Sequence, residues 1–350
     1  MLLSMLGIET NVIIRAFSAL LTALVLSLVL GSPLISFLHK HQHHGQPIRT
    51  DGPQSHLQTK QGTPTMGGLL ILGTAIFSIL LFAKVSYHFV WVSLIVLFIY
   101  GLTGFIDDYI KVTKETPNAL TAKAKLFIQF MTAVMVATII TAATPNVSSN
   151  ILYIPYFRFI LNLSWLYIPF AVIVISGASN GVNLSDGLDG LATGLLILSF
   201  TFFGVMAYII GNQIALNFAF PYIPRSAEMA VVCASIVGAC LGFLHFNAPK
   251  AKIFMGDTGS LALGALLGTV AVILKQEILL ALVGIVFVAE TLSVMIQVFW
   301  YRRTGKRFFK MAPIHHHFEQ CGWNERKIVL RFWFVGFIAA FLGLLSLIKF

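Results

Sequence analysis

The sequence predicts an all-α integral membrane protein that crosses a bilayer about ten times. Three observations carry this reading. Hydrophobic residues make up 57% of the 350-residue chain and charged residues 10%, against about 25% charged in an ordinary soluble domain. The mean hydropathy is +0.87. The apolar residues also fall into runs of about 20, the length that spans hydrocarbon as a helix.

Taken in order, the spans are expected at about 15–38, 66–84, 88–106, 125–144, 166–184, 190–210, 228–246, 259–275, 278–300 and 329–348. The first run is long and has no small-residue cleavage site, so it reads as a retained span. His39, His41, His43 and His44 follow it. They resemble a metal tract, but a solvated loop is the simpler reading. The loop continues to Gly67 and Gly68 through several glycines and prolines, which make it irregular. The third run ends on adjacent carboxylates, Asp107 and Asp108, with Lys111 at helical spacing. Residues 151–161, rich in β-branched and aromatic side chains, suggest a small external β-hairpin lying on the membrane. Cys233, Cys240 and Cys321 have no disulfide or metal-ligand spacing.

Charge sets the orientation. Placing the first loop in the cytoplasm leaves only Arg15, Lys84, Arg158, Arg225, Lys275 and Lys349 elsewhere, out of 23 Lys and Arg. That is a strong positive-inside bias, and both termini are then external. The net charge of +10 fits anionic headgroups and anionic substrates better than nucleic acid in a chain this apolar. All six aspartates (Asp51, Asp107, Asp108, Asp186, Asp189 and Asp257) fall on the cytoplasmic side. The expectation is a polar mouth there that handles a metal or a phosphate.

Four segments supply that mouth. Paired carboxylates beside Lys111 suit a magnesium ion and a phosphate. Lys114, Lys123 and Lys125 follow, and the positive-inside rule accounts best for Lys114 and Lys125. Asn180, Asn183, Asp186 and Asp189 recur every third residue, forming one drifting polar stripe with glycines between. The stripe would meet a nucleotide base or ribose, or else seam two helices. Asp257 stands where the eighth span begins, either as a helix cap or as part of a phosphate site, with Asn247 and Phe254 nearby. In the last loop, His315, His316 and His317 cannot all face one ion from a regular element, so one or two should point inward. Glu290 lies within the ninth run, where an acid is a functional candidate.

Five segments together resemble one family. They are Lys60 to Gly68, Phe105 to Lys111, Asn180 to Ala192, Phe254 to Ser260 and Pro313 to Glu319. They are similar, in order and over essentially the whole chain, to the motifs of bacterial phospho-N-acetylmuramoyl-pentapeptide transferases. Those belong to the polyprenyl-phosphate N-acetylhexosamine-1-phosphate transferase superfamily. The resemblance implies a single multi-pass transferase domain over 1–350 in the bacterial inner membrane, with its active site on the cytoplasmic face. It implies transfer from UDP-N-acetylmuramoyl-pentapeptide to undecaprenyl phosphate, giving lipid I and UMP, with Mg2+ as cofactor, in a homodimer bordered by membrane lipid. It implies catalytic roles for Asp107, Asp108 and Asp257, with Asp257 the leading metal ligand. Asn183, Asp186, Gly187, Leu188, Asp189, Asn247 and Phe254 match the uridine and metal neighbourhood. Lys60, Lys111, Lys123, His315 and His316 match its basic surround. The family's ninth helix is broken, although this span contains no proline.

Two alternatives remain in view. A polyprenyl-phosphate N-acetylglucosamine-1-phosphate transferase would keep the aspartate pair and the Asn/Asp stripe, but Lys60 to Gly68 and Pro313 to Glu319 argue against it. A secondary transporter would hold its ionisable residues near the midplane, where only Glu290 is expected.

Overall fold

The computed structural model describes residues 11–42, 62–116, 119–145, 148–218 and 220–348. Its helices are α1 (Val12–His41), α2 (Gly68–Phe82), α3 (His88–Thr113), α4 (Ala122–Ala143), α5 (Tyr167–Ser185), α6 (Leu191–Ile210), α7 (Glu228–Asn247) and α8 (Gly256–Leu274), followed by α9 (Glu277–Val283), α10 (Ile285–Thr304), α11 (Ile314–Gln320) and α12 (Glu325–Leu345). Among the described residues, nine helices are long and apolar enough to cross a membrane, and α2 is a shorter apolar helix. The protein is thus a polytopic membrane protein. Strands β1 (Ile151–Ile154) and β2 (Phe159–Asn162) pair antiparallel, with Ile151 opposite Asn162.

Helix α8 is the axis of the bundle. Every residue of it except Asp257 is buried. Helices α3 and α5 pack along it, with α2, α6 and α4 at its flanks, while α1 lies on α7 and α2. Small residues let these backbones approach, which is how helices associate when lipid is as apolar as a side chain. A Cβ on Gly104 would lie 2.1 Å from the carbonyl oxygen of Asp257, and one on Gly68 would lie 2.2 Å from the amide nitrogen of Gly259. The start of α8 is therefore clamped between α2 and α3 by positions that admit only glycine.

Hydrogen bonds lock the same corner. Gly67 and Gly68 donate their N–H groups to the carbonyls of Phe254 and Met255, each at 2.8 Å, and Phe254 donates to Pro64 at 2.9 Å. Gly256 then turns with φ +74°, and a side chain there would strike Asp108 Oδ2 at 2.5 Å. Chain geometry and the acid's position leave glycine as the only residue that fits.

The ninth span is not continuous. It breaks at Gly284 (φ −89°, ψ 21°) between α9 and α10. Beyond the break α10 stays largely uncovered, with Leu292, Met295 and Phe299 exposed. A single run over 278–300 was expected from the residues, so this is a correction. The physical reason is the glycine, which lowers helix propensity by about 1 kcal/mol without needing proline.

Gly104→Ala is expected to destabilise the protein by about 1–3 kcal/mol through overpacking. Gly73→Ala should be neutral or slightly stabilising, because a Cβ there meets nothing within 4 Å. Thermal unfolding midpoints of both variants in detergent check the contrast.

Candidate active site

Helix ends from distant parts of the chain converge at one end of the bundle. Asp107 and Asp108 come from the last turns of α3, Asp257 from the first turn of α8, Asn183 from the last turn of α5 and Lys125 from the first turn of α4. Oxygens of Asp107, Asp108 and Asp257 all lie within 4.8 Å of one another. Asp107 and Asp108 are each 1% exposed, and the Asp257 side chain is 15% exposed. The cluster is thus an almost dry pocket with one carboxylate at its lip.

Each carboxylate has a different environment. Asp108 crosses from α3 to cap α8: its Oδ1 accepts from Asp257 N at 3.2 Å, and its Oδ2 from Thr258 N at 2.9 Å and Thr258 Oγ1 at 2.7 Å. It satisfies orphan donors at a helix N-terminus and meets the positive end of the helix dipole. Asp107 accepts from Leu120 N at 3.0 Å through Oδ1. Its Oδ2 lies 2.6 Å from Lys111 Nζ and 3.1 Å from Lys125 Nζ. Asp257 Oδ2 meets the same two ammonium groups, Lys125 at 2.7 Å and Lys111 at 3.2 Å. Its Oδ1 accepts from Asn183 Nδ2 at 2.7 Å. Two lysines therefore bridge Asp107 and Asp257, while Asp108 is held by backbone and hydroxyl donors.

This donor set fits a hard divalent cation. Carboxylate oxygens suit magnesium-like ions and supply no soft ligand. Three carboxylates against two ammonium groups leave the cluster one positive charge short of neutrality, which a cation would supply. Asp257 and Asp107 are the better ligands, since lysine ammonium groups that a cation can displace meet them, whereas backbone and hydroxyl donors of α8 hold Asp108.

The structure separates the expected site residues into groups. Asn183 reaches the carboxylates, and its Nδ2 also reaches Ser260 Oγ at 2.8 Å. Asn180 does not join it: its Nδ2 donates to Gln129 Oε1 of α4 and to Ser176 O, both at 2.8 Å. That is a helix seam, the other reading of the stripe. The stripe itself ends early, because α5 stops at Ser185 and Asp186 is its C-cap. Asn247 also braces neighbouring segments. It is 3% exposed. Its Oδ1 accepts from Gly190 N and Thr193 Oγ1, and its Nδ2 donates to Ile253 O. Asp189 ties the same turn to the α7–α8 loop by accepting from Ala251 N at 3.0 Å. Leu188 is buried, Phe254 is half-buried, and Gly187 abuts His315.

The structure brings Lys125, which the positive-inside rule was enough to explain, to Asp107 and Asp257. Lys123 is exposed. Residues two apart on a helix point to nearly opposite sides, and the cap at Thr121, whose side chain accepts from Ala124 N, sets which one faces in. Of the histidines, His315 is buried beside Glu290, and His316 Nδ1 lies 2.6 Å from Glu319 Oε2. Glu290 therefore pairs with His315 of α11. Lys60 lies outside the described residues, as do His43, His44 and Asp51.

Comparison with known proteins adds names. Residues 90–275 match the model of glycosyl transferase family 4, and residues 60–72 match phospho-N-acetylmuramoyl-pentapeptide-transferase signature 1. Curated relatives from Rickettsia bellii (strain RML369-C) and Rickettsia felis (strain ATCC VR-1525 / URRWXCal2) carry the name phospho-N-acetylmuramoyl-pentapeptide-transferase. Each is 48% identical over 336 residues, covering 95% of this chain and 92% of the relative.

Asp257→Asn is expected to weaken binding of Mn2+, a paramagnetic divalent probe, by at least about tenfold. Lys125→Met should tighten it by removing a competing cation, and Lys123→Met should leave it unmoved. Electron paramagnetic resonance titration of the purified variants reads all three.

Proposed function

Since the chain belongs to the phospho-N-acetylmuramoyl-pentapeptide-transferase family, we propose that it moves phospho-N-acetylmuramoyl-pentapeptide from its UDP carrier to undecaprenyl phosphate, giving lipid I and UMP. This is the first membrane step of peptidoglycan synthesis. One observation carries the reading: three carboxylates from two helices share a dry pocket with two lysines at one end of an apolar bundle. A water-soluble sugar nucleotide and a lipid phosphate can meet only at such a boundary. We place that end at the cytoplasmic face of the inner membrane, which the positive-inside bias supports. The termini and the β1–β2 hairpin are then external. A homodimer is the expected assembly.

The chemistry follows from the charges. An oxygen of the lipid phosphate attacks the sugar-linked phosphorus. The bond from that phosphorus to the bridging oxygen breaks, and UMP leaves with the electron pair. Both reactants are anions, so positive charge has to lie between them. Lys111 and Lys125 sit where they neutralise that charge, and Asn183 orients Asp257. A magnesium ion, held by Asp257 and Asp107, would supply electron withdrawal at the leaving phosphate. Asp107 or Asp108 takes any proton that remains on the lipid phosphate. A phosphate monoester loses its second proton near pH 6, so little base help is needed at neutral pH. At the nucleotide end, the turn carrying Asp186, Gly187, Leu188 and Asp189 faces the base and ribose, and Phe254 offers a stacking surface. By the family motifs, Lys60, Lys123 and His316 are the remaining candidates for the basic surround.

UMP release from UDP-N-acetylmuramoyl-pentapeptide and undecaprenyl phosphate is the direct assay. Asp257→Asn is expected to lose at least about a hundredfold in kcat, the scale of removing one electrostatic stabiliser. UDP-N-acetylglucosamine offered in the same assay should give no lipid-linked product. UMP exchange into the sugar nucleotide should require the lipid. Exchange without lipid would instead make an aspartate the nucleophile.

A further inference from the structure

One buried acid lies outside the aspartate cluster. Glu290 of α10 and His315 of α11 are both 0% exposed. A carboxylate taken out of water costs several kcal/mol unless a partner meets it. Here His315 Nδ1 lies 3.1 Å from Glu290 Oε1, and the His315 backbone N–H points to Oε2 at 3.5 Å. The opposite ring nitrogen faces another element. A Cβ on Gly187 would lie 2.3 Å from His315 Nε2, so the imidazole fills the space any side chain at 187 would take. Like Nδ1 and Glu290 Oε1, that nitrogen is buried with no hydrogen bond in the structure, so the contact between His315 and Glu290 is an ion-pair contact.

Gly187 sits between Asp186 and Leu188, in the turn joining α5 to α6. The turn is braced elsewhere by Glu325, which accepts from Asp189 N at 2.8 Å, and by Asn247, which accepts from Gly190 N at 3.1 Å. His315 is its brace on the α10 side. A histidine ring has two nitrogens, and the group bonded to one decides where the other points. With Glu290 at Nδ1, Nε2 is directed at the turn. Without it the ring has no polar anchor on the α10 side.

We propose that Glu290 is a positioning residue for the nucleotide end of the site: it orients His315 through Nδ1, and His315 holds the 186–189 turn in its binding shape. This deepens the functional reading above and rests on it. The acid acts on the turn assigned to the nucleotide end, so its effect belongs to sugar-nucleotide binding and not to bond breaking.

Steady-state kinetics on the purified full-length protein test this, varying each substrate with the other saturating. Glu290→Leu is expected to raise the KM for UDP-N-acetylmuramoyl-pentapeptide about tenfold, the scale of leaving one buried polar group without its partner. The kcat and the KM for undecaprenyl phosphate should stay within about twofold. Glu290→Gln keeps an oxygen facing Nδ1 and should recover most of the loss. UMP binding by calorimetry should weaken in parallel with KM. Gly187→Ala displaces the ring from the other side and should raise the same KM with Glu290 intact, which covers the case where Glu290→Leu fails to fold. An unmoved sugar-nucleotide KM in these variants, or equal losses for both substrates, overturns the proposal. If the parent protein transfers nothing, the functional reading fails, while UMP binding by the variants still decides the role of Glu290.

Discussion

Three carboxylates within 4.8 Å of one another, nearly out of water, repel strongly, and the bundle exists in this form only because that repulsion is answered. The answer has two parts. Asp108 is neutralised locally by the N-terminus of α8, whose free donors and dipole face it. Asp107 and Asp257 share two ammonium groups, so each lysine serves two acids and neither acid has an ammonium group to itself. The first arrangement is a fixed joint. The second is a set of exchangeable contacts at the pocket's lip, where a phosphate or a cation can take a share of the charge.

The joint depends on backbone proximity before it depends on charge. Asp108 reaches Thr258 only because Gly104 lets α3 touch the first turn of α8, and because Gly256 turns through a left-handed conformation in front of the acid. The segment from Pro64 to Gly68 closes the same corner from the other side. Glycines, apolar packing and the aspartate cap thus form one unit, and the position of Asp257 is its output. In a bundle without a solvent-driven hydrophobic force between helices, such close approach also supplies much of the cohesion.

Much of this was legible in the residues, and what was not has identifiable causes. Asp107, Asp108, Lys111, Asn183 and Asp257 stood out because carboxylates at the ends of apolar runs need a reason. Asn180 and Asn247 looked the same and turned out to be braces. Type and spacing do not say which partner a buried amide finds, since a seam and a ligand site satisfy it equally well. Lys125 was hidden behind a general rule for cytoplasmic lysines, because choosing it over Lys123 requires the phase of α4 about its axis. That phase is set by a cap at Thr121. The link from Glu290 to His315 joins residues 25 apart across a loop, and no periodicity reports such a contact. The break in the ninth span had a modest local signal, Gly284, which resembles the many packing glycines around it.

The far end of the bundle shows why charge alone does not make a site. There Arg15 of α1 meets Glu228 of α7 through two nitrogens, at 2.7 and 2.5 Å, and also donates to Phe82 O. Lys84 N completes the carboxylate's partners. Both residues are buried, and the pair ties α1, α2 and α7 together. An ion pair this complete has nothing to offer a ligand, since any newcomer would have to break a bidentate bond in low dielectric. At the other end the same elements are arranged with a deficit: shared lysines, one half-open carboxylate and a net negative charge. The difference between a staple and a reaction centre in this protein is that unbalanced charge, kept near water and held in place by glycine-tight packing beneath it.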